Sequence, residues 1–329
     1  MAVFKNLLCV FMLQMMVQAL LLSHVNGQGL KVGFYEKSCP EAEKIVYKVI
    51  SDVMAVAPSL SGPLLRMHFH DCFIKGCDGS VLLDSPTNQS EKFSIPNLTL
   101  RGYNIIDRVK TALEKACPGV VSCADIVAIV ARDVTVATMG PHWYVETGRR
   151  DGRVSLISDP LNPVSGLPPF FLNITSLKAS FALRGLNSKD LVVLSGGHTI
   201  GMSHCSSFTS RLYNFTGKGD TDPTMDPNYI AQLKKKCKPA DPTTIAELDP
   251  GSFLTFDDSY YRLLTKRRGL LTSDAALLDD PETKAYLIQA TGHDSTFFED
   301  FGVSMIKMGR IGVLTGSEGE VRKVCSKIN

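Results

Sequence analysis

The chain has 329 residues, long for a single domain, with 44% hydrophobic and 21% charged side chains. Those values exclude a disordered or collagen-like chain and leave ample apolar material for a core. The formal net charge is only +2, which leaves no electrostatic footprint for a nucleic-acid partner.

Lys5 precedes an apolar run from Leu7 to Leu22, broken only by Gln14 and Gln18, and Ser23, Asn26 and Gly27 follow. A positive start, an apolar centre and a small-residue end read as a secretory signal. The run is short and interrupted for a membrane span, which needs roughly 20 apolar residues. No second such run follows, so no membrane attachment is expected once the signal is removed. Cleavage after Gly27 takes 27 residues from 329, leaving 302 that start at Gln28. It also removes Cys9, so the nine cysteines become eight. Eight cysteines in an oxidising compartment predict four disulfides, whose pairing spacing alone does not select. Sequons at Asn88, Asn97, Asn173 and Asn214 agree with that route, and glycans are expected at Asn88, Asn173 and Asn214.

Helical periodicity dominates the rest. Ala42 to Met54 carries Ile45, Val46, Val49 and Ile50 on one face. Tyr103 to Ala116 carries Ile105, Ile106, Val109 and Leu113, and Cys117-Pro118-Gly119 stops it. Ser122-Cys123-Ala124-Asp125 resembles a capping box opening an apolar helix through Val136. Further helical windows are Ser176 to Leu183, Ser188 to Leu194, Met202 to Tyr213, Pro227 to Lys236, Asp258 to Lys266, Pro281 to Gln289 and Ser295 to Met308. Alternation is scarce: Trp143-Tyr144-Val145 and Ser155-Leu156-Ile157 predict at most a short hairpin. The Gly/Pro-rich stretch Asp159 to Pro169 is the best boundary. The fold class is therefore mainly α, with two lobes.

Within Leu64 to Cys72, Arg66 and His70 stand four apart, so on a helix they share a face about 6 Å apart along the axis. A fixed cation beside an imidazole suits proton transfer with charge developing nearby. A surface Arg and a core His fit the same spacing. Zinc on His68, His70, Cys72 and Cys77 is disfavoured. The mature cysteine count is even, the two histidines are only two apart, and the Cys-x-x-Cys pairing is missing. The next loop offers Asp71, Asp78 and Ser80 with glycines between, oxygen donors suited to Ca²⁺ or to an ordinary polar turn. Further on, Leu194-Ser195-Gly196-Gly197-His198-Thr199 ends an apolar helix at two glycines. They would let backbone or a flat ligand approach, and leave His198 as a candidate axial metal ligand. His24, His142, His204 and His293 have no comparable setting.

Arg66-Met67-His68-Phe69-His70-Asp71-Cys72-Phe73, together with Leu194-Ser195-Gly196-Gly197-His198-Thr199-Ile200-Gly201, closely resembles the two signatures of the secreted plant (class III) haem peroxidases. The likeness runs from about Gly33-Phe34-Tyr35 to Cys325 and includes Gly148-Arg149-Arg150-Asp151 and Arg211-Leu212-Tyr213-Asn214-Phe215. It implies a two-lobed haem peroxidase fold, residues 28–329 as one unit, with a distal lobe over about 28–160 and a proximal lobe over about 161–329. It implies haem b with His198 as iron ligand. Asp274 would accept the His198 N–H, His70 would be the acid/base, Arg66 would stabilise charge on the splitting O–O bond, and Asn97 would orient His70, with Glu91 as its outer partner. H₂O₂ would be reduced to water through a ferryl haem, and small phenolic donors oxidised in two one-electron steps. Two Ca²⁺ are implied, one on Asp71, Ile74, Gly76, Asp78 and Ser80, the other on Thr199, Asp249, Ser252, Thr255 and Asp257. The implied disulfides are Cys39–Cys117, Cys72–Cys77, Cys123–Cys325 and Cys205–Cys237. Pro168 matches a carbonyl linked to aromatic donors, although Leu167-Pro168-Pro169-Phe170 displaces the second proline of the usual pattern, and Ser206 and Ser207 replace a larger side chain at the haem edge. A secreted monomer in the extracellular space, rather than the vacuole, is expected. A non-catalytic glycoprotein on this scaffold is the competing class, and Arg66, His70, His198 and Asp274 together argue against it.

Overall fold

The computed structural model describes residues 29–329; the expected signal segment, with Lys5, Cys9 and His24, lies outside them. Helix α1 (Ala42–Val56) stops where Pro58 disfavours helical geometry for the residue before it, and the chain turns by 120° into α2 (Ser61–Ile74). After α3 (Tyr103–Ala116), α4 (Cys123–Ala137) is buried at every position from Cys123 to Thr135. A helix buried all round has to be central, and α1, α2 and α3 pack around it. The reciprocal capping box expected at its start is only half formed. Ser122 Oγ accepts from the Asp125 N–H at 3.2 Å, but the Asp125 carboxylate is taken by the Tyr35 hydroxyl, the Gly148 N–H and Arg149.

The second half begins with α5 (Ile174–Ala182) and α6 (Ser188–Ser195), the latter opened by a full capping box between Asn187 and Asp190. Strand β1 (Met202–His204) pairs antiparallel with β2 (Ile245–Glu247), Ser203 opposite Ala246. Between them lie α7 (Thr209–Tyr213) and α8 (Pro227–Lys236). Then come α9 (Ser259–Thr265), α10 (Thr272–Ala276), α11 (Pro281–Ala290) and α12 (Asp294–Met308). Helix α6 packs on α11 and α12.

Two expectations fail. The window Met202 to Tyr213 is not one helix, because its first three residues find a strand partner some 40 residues away and a short turn at Cys205–Ser207 precedes α7. The hairpin between residues 143–145 and 155–157 does not form among the described residues. Trp143 is buried with its ring 5.9 Å from Phe301, and the Ile157 N–H bonds the Gln89 carbonyl instead.

One apolar cluster runs from Tyr35 to Cys325 through both halves, and a smaller one surrounds Cys205 and Cys237. The disulfides are Cys39–Cys117, Cys72–Cys77, Cys123–Cys325 and Cys205–Cys237. Near Cys325, Arg322 is fully buried and donates to the carbonyls of Asp78, Gly79 and Cys325. The loop after α2 is therefore closed by the far end of the chain. Taken alone, no helix among the described residues is long and apolar enough to cross a membrane.

Candidate functional site

Helix α2 is buried except along one stripe, Gly62, Pro63, Arg66 and Phe69, which recurs at helical spacing. The stripe meets the end of α6. A Cβ on Gly62 would stand 2.9 Å from the Gly201 Cα, so only glycine lets the two chains approach this closely. The Leu65 side chain lies 3.5 Å from the Cβ position of Gly197, next to His198. Arg66 and His70 from the first half and His198 from the second are thus carried by elements in direct contact. The role of Gly196 differs from the flat-ligand approach suggested above: its missing side chain is replaced by the Tyr261 hydroxyl and the Phe297 ring, so it is a packing glycine.

On α2, the His70 Nδ1 stands 2.6 Å from Asn97 Oδ1. Asn97 spends its amide N–H on the Glu91 backbone carbonyl at 2.8 Å, which turns its oxygen toward the ring. The Nδ1 must then carry the proton, and Nε2 of the neutral ring keeps a lone pair. Burial, with the Arg66 charge second, pushes the His70 pKa well below its usual value, although the bond to Asn97 opposes this. Arg66 is held by the same loop, donating to Thr99 Oγ1 and to the Pro96 carbonyl, each at 2.9 Å. Burial lowers its pKa to about 10, so it stays charged at neutral pH. Asn97 is 1% exposed, and its sequon threonine serves Arg66, so this asparagine has no room for a glycan.

His198 sits in the short turn after α6 and keeps a side-chain exposure of 37%. Its Nδ1 lies 2.9 Å from Asp274 Oδ1, so the ring donates there and Nε2 keeps its lone pair. Asp274, in the first turn of α10, also accepts the Leu271 N–H at 3.0 Å and the Tyr260 hydroxyl at 2.9 Å. Burial alone would raise its pKa, but His198 and these donors outweigh it and hold the carboxylate below its usual range. Tyr260 was not anticipated; it lies 14 residues upstream of Asp274, and no local spacing couples the two.

Each histidine is followed by residues rich in oxygen atoms, Asp71 on the last turn of α2 and the loop beyond it in one case, the turn at Thr199 in the other. Asp71 is fully buried and accepts the Gly79 N–H at 2.9 Å; Asp78 Oδ1 accepts the Ser80 N–H at 2.9 Å. Ser80 Oγ donates to Glu91 at 3.4 Å, and the other Glu91 oxygen is buried without a partner. Burial, then the neighbouring Asp71 and Asp78, pushes Glu91 up to about 9, and burial raises both aspartates. Ile74 closes α2, and Gly76 follows in the same loop. In the second half, Thr199 Oγ1 donates to Asp249 at 3.1 Å and lies 3.2 Å from Asp257 and 3.5 Å from the Thr255 carbonyl, while Ser252 donates to Asp257. Burial pushes Asp249 up to about 7. No three His, Cys, Asp or Glu side chains converge into a metal-sized group among the described residues. A cation in either loop would need hydroxyl and carbonyl oxygens beside the carboxylates.

The zinc set is divided: His68 lies 3.6 Å from Cys72 Sγ, which is bonded to Cys77, while His70 turns to Asn97. Burial drops the His68 pKa to about 3, so it is neutral. Pro168 is half-buried in a segment tied at both ends. Arg184 donates to the Ser165 and Gly166 carbonyls and to Phe73 at the end of α2, and Phe170 accepts the Ser273 N–H beside Asp274. Ser206 is exposed and Ser207 partly buried. Asn88, Asn173 and Asn214 are all exposed; Asn173 also caps α5 through its side-chain oxygen.

The family model described as Peroxidase matches residues 46–292. The chain is 62% identical to Peroxidase 27 of Arabidopsis thaliana over 322 residues, 98% of this chain and 97% of that one. It is 58% identical to Peroxidase 56 of the same plant over the full length of both, and 54% identical to Peroxidase 1 of Oryza sativa subsp. japonica over 90% of this chain and 92% of that one.

Proposed function

The chain belongs to the peroxidase family, and from that premise we propose that it is a secreted enzyme holding haem b between His70 and His198. It reduces H₂O₂ to water and takes electrons singly from small phenolic donors. The observation that carries this reading is the pair of unlike imidazoles: one neutral, with an amide behind it, the other partly exposed and backed by a buried carboxylate. The donor set suits the group, since a histidine whose Nδ1–H is fixed by a carboxylate has its other nitrogen available to hold an iron, as His198 would. When bound, haem supplies the iron that receives peroxide and stores its two oxidising equivalents.

The residues divide the remaining work. His198 Nε2 would hold the iron, and Asp274 fixes the ring's orientation and tautomer for that task. His70 Nε2 accepts the proton from the nearer oxygen of H₂O₂ and returns it to the departing oxygen, which leaves as water. Arg66 stabilises negative charge on the separating oxygens and, being anchored by Thr99 and Pro96, needs no reorganisation to do so. Asn97 keeps His70 in the tautomer with a free Nε2. Donors would meet the crevice on the side of Pro168, through its backbone carbonyl.

Two Ca²⁺ ions belong to the same reading. Asp71, Asp78 and Ser80 with the Ile74 and Gly76 carbonyls would hold one. Thr199, Asp249, Ser252, Thr255 and Asp257 would hold the other. Buried carboxylates and the unpartnered oxygen of Glu91 support a dication in the first loop, since a positive charge there removes the cost of burying them. A single haem-binding unit over 28–329, monomeric and delivered to the cell wall, with glycans on Asn88, Asn173 and Asn214, completes the proposal.

The test is spectroscopic. Recombinant mature protein refolded with haem should show a Soret band that shifts on adding H₂O₂; a chain that takes up no haem overturns the reading.

A further inference from the structure

Asp274 Oδ1 is shared. It accepts the His198 Nδ1–H at 2.9 Å and the Tyr260 hydroxyl at the same 2.9 Å, while the Leu271 N–H holds the other oxygen at 3.0 Å. With a backbone N–H and an imidazole N–H both pointing at it, the carboxylate acts as acceptor and the tyrosine O–H as donor. Tyr260 is 1% exposed. Its ring meets the His198 imidazole edge-on, with centroids 5.9 Å apart and planes at 83°, and it packs on Tyr261 at 5.3 Å. Tyr261 is itself anchored to the Val192 carbonyl on α6 at 3.1 Å. The hydroxyl therefore cannot swing away from Asp274 without disturbing α6, which leads into the turn that carries His198.

A carboxylate oxygen that accepts two hydrogen bonds is a weaker acceptor for each than one that accepts a single bond. The more strongly Asp274 pulls on the Nδ1–H, the more anionic the imidazole becomes, and the more it favours ferric over ferrous iron. We propose that Tyr260 is a positioning residue that draws off part of the charge Asp274 lends to His198 and so raises the reduction potential of the iron. This rests on the haem reading above. It assigns a task to a side chain that touches neither the iron nor peroxide, and it makes the histidine–aspartate pair a triad with an adjustable third member.

The experiment uses the haem-loaded protein and reads the Fe(III)/Fe(II) midpoint potential and the iron–histidine stretch in the ferrous resonance Raman spectrum. In Tyr260→Phe, Asp274 Oδ1 keeps only His198, so the equilibrium should move about three- to tenfold toward ferric, a potential lower by roughly 30–60 mV. The iron–histidine stretch should rise in frequency. Replacing Tyr260 by 3-fluorotyrosine strengthens the donor at nearly constant shape and should move both readouts the other way. A merely structural role would move neither in opposite senses. If both variants keep the wild-type potential and stretch, or if Tyr260→Phe raises the potential, the proposal is overturned. Should Tyr260→Phe fail to fold, the fluorinated protein decides alone, and an unchanged potential there overturns it. Failure of the haem reading looks different: the wild type itself would then show no iron–histidine stretch.

Discussion

His70 and His198 are the same residue in opposite circumstances. His70 is 3% exposed, stands beside a cation and has a neutral amide behind it. His198 keeps more than a third of its side-chain surface open and has a buried anion behind it. An amide oxygen orients an imidazole without stabilising the imidazolium, so the ring stays neutral and ready to accept a proton. A carboxylate stabilises positive charge on the ring, or on whatever metal its other nitrogen holds. On the proposed reading, the acceptor behind each Nδ1, one heavy atom in each case, would separate an acid/base group from a ligand.

The largest effect should come from removing the ligand. His198→Ala is expected to fold, since more than a third of the side chain is exposed, but to show no Soret band after reconstitution; a wild-type haem stoichiometry would contradict the assignment. His70→Ala should bind haem normally yet react with peroxide about 10²–10⁴-fold more slowly, as expected for loss of a general acid/base. Unchanged stopped-flow rates would remove His70 from the reaction.

Exchanging the acceptors blurs the contrast. Asn97→Asp places an anion behind His70 and should raise its pKa from the depressed value that burial now imposes. The ring would then be protonated, and useless as a base, at the acid end of the range. The rising limb of the peroxide-rate profile should move up by about one pH unit, a roughly tenfold loss below it. A profile that does not move would show that the amide's neutrality is irrelevant.

The smallest effect concerns the loops beside each histidine. Glu91 titrates near 4.5 when unfolded and near 9 when folded, and Asp71 and Asp78 shift the same way. The folded chain therefore holds protons that the unfolded chain releases. Without a cation, stability present below pH 4.5 is lost as pH rises toward 9. Chelation should lower Tm by a few degrees near neutral pH and progressively less in acid, at roughly 1.5–2 °C per kcal/mol for a chain of about 300 residues. A chelator effect independent of pH would place the cation elsewhere.

Much of the molecule was legible because its signals are local. Helix α3 spans Tyr103–Ala116 as its apolar spacing and the Cys-Pro-Gly stop require, and the i, i+4 pair Arg66 and His70 does lie on one helix. What escaped depends on distant partners. The strand at Met202 exists only because Ile245–Glu247 lies beside it. Asp125, which looked like a cap partner, was claimed by Tyr35 and Arg149 from 90 residues before and 24 after. Thr99 was legible only as part of a sequon, yet it anchors Arg66. Tyr260 gave no motif because its meaning comes from sharing an oxygen with His198.

The bond from Cys123 to Cys325 spans 202 residues, and Arg322, which closes the loop after His70, is made almost as late. At a synthesis rate of roughly 5–20 residues per second, Cys123 waits about 10–40 s for its partner to be made. Throughout that interval Cys39, Cys72, Cys77 and Cys117 are already present, with Cys117 only six positions away. The native pair at Cys123 can therefore form only after every other bridged cysteine has been made.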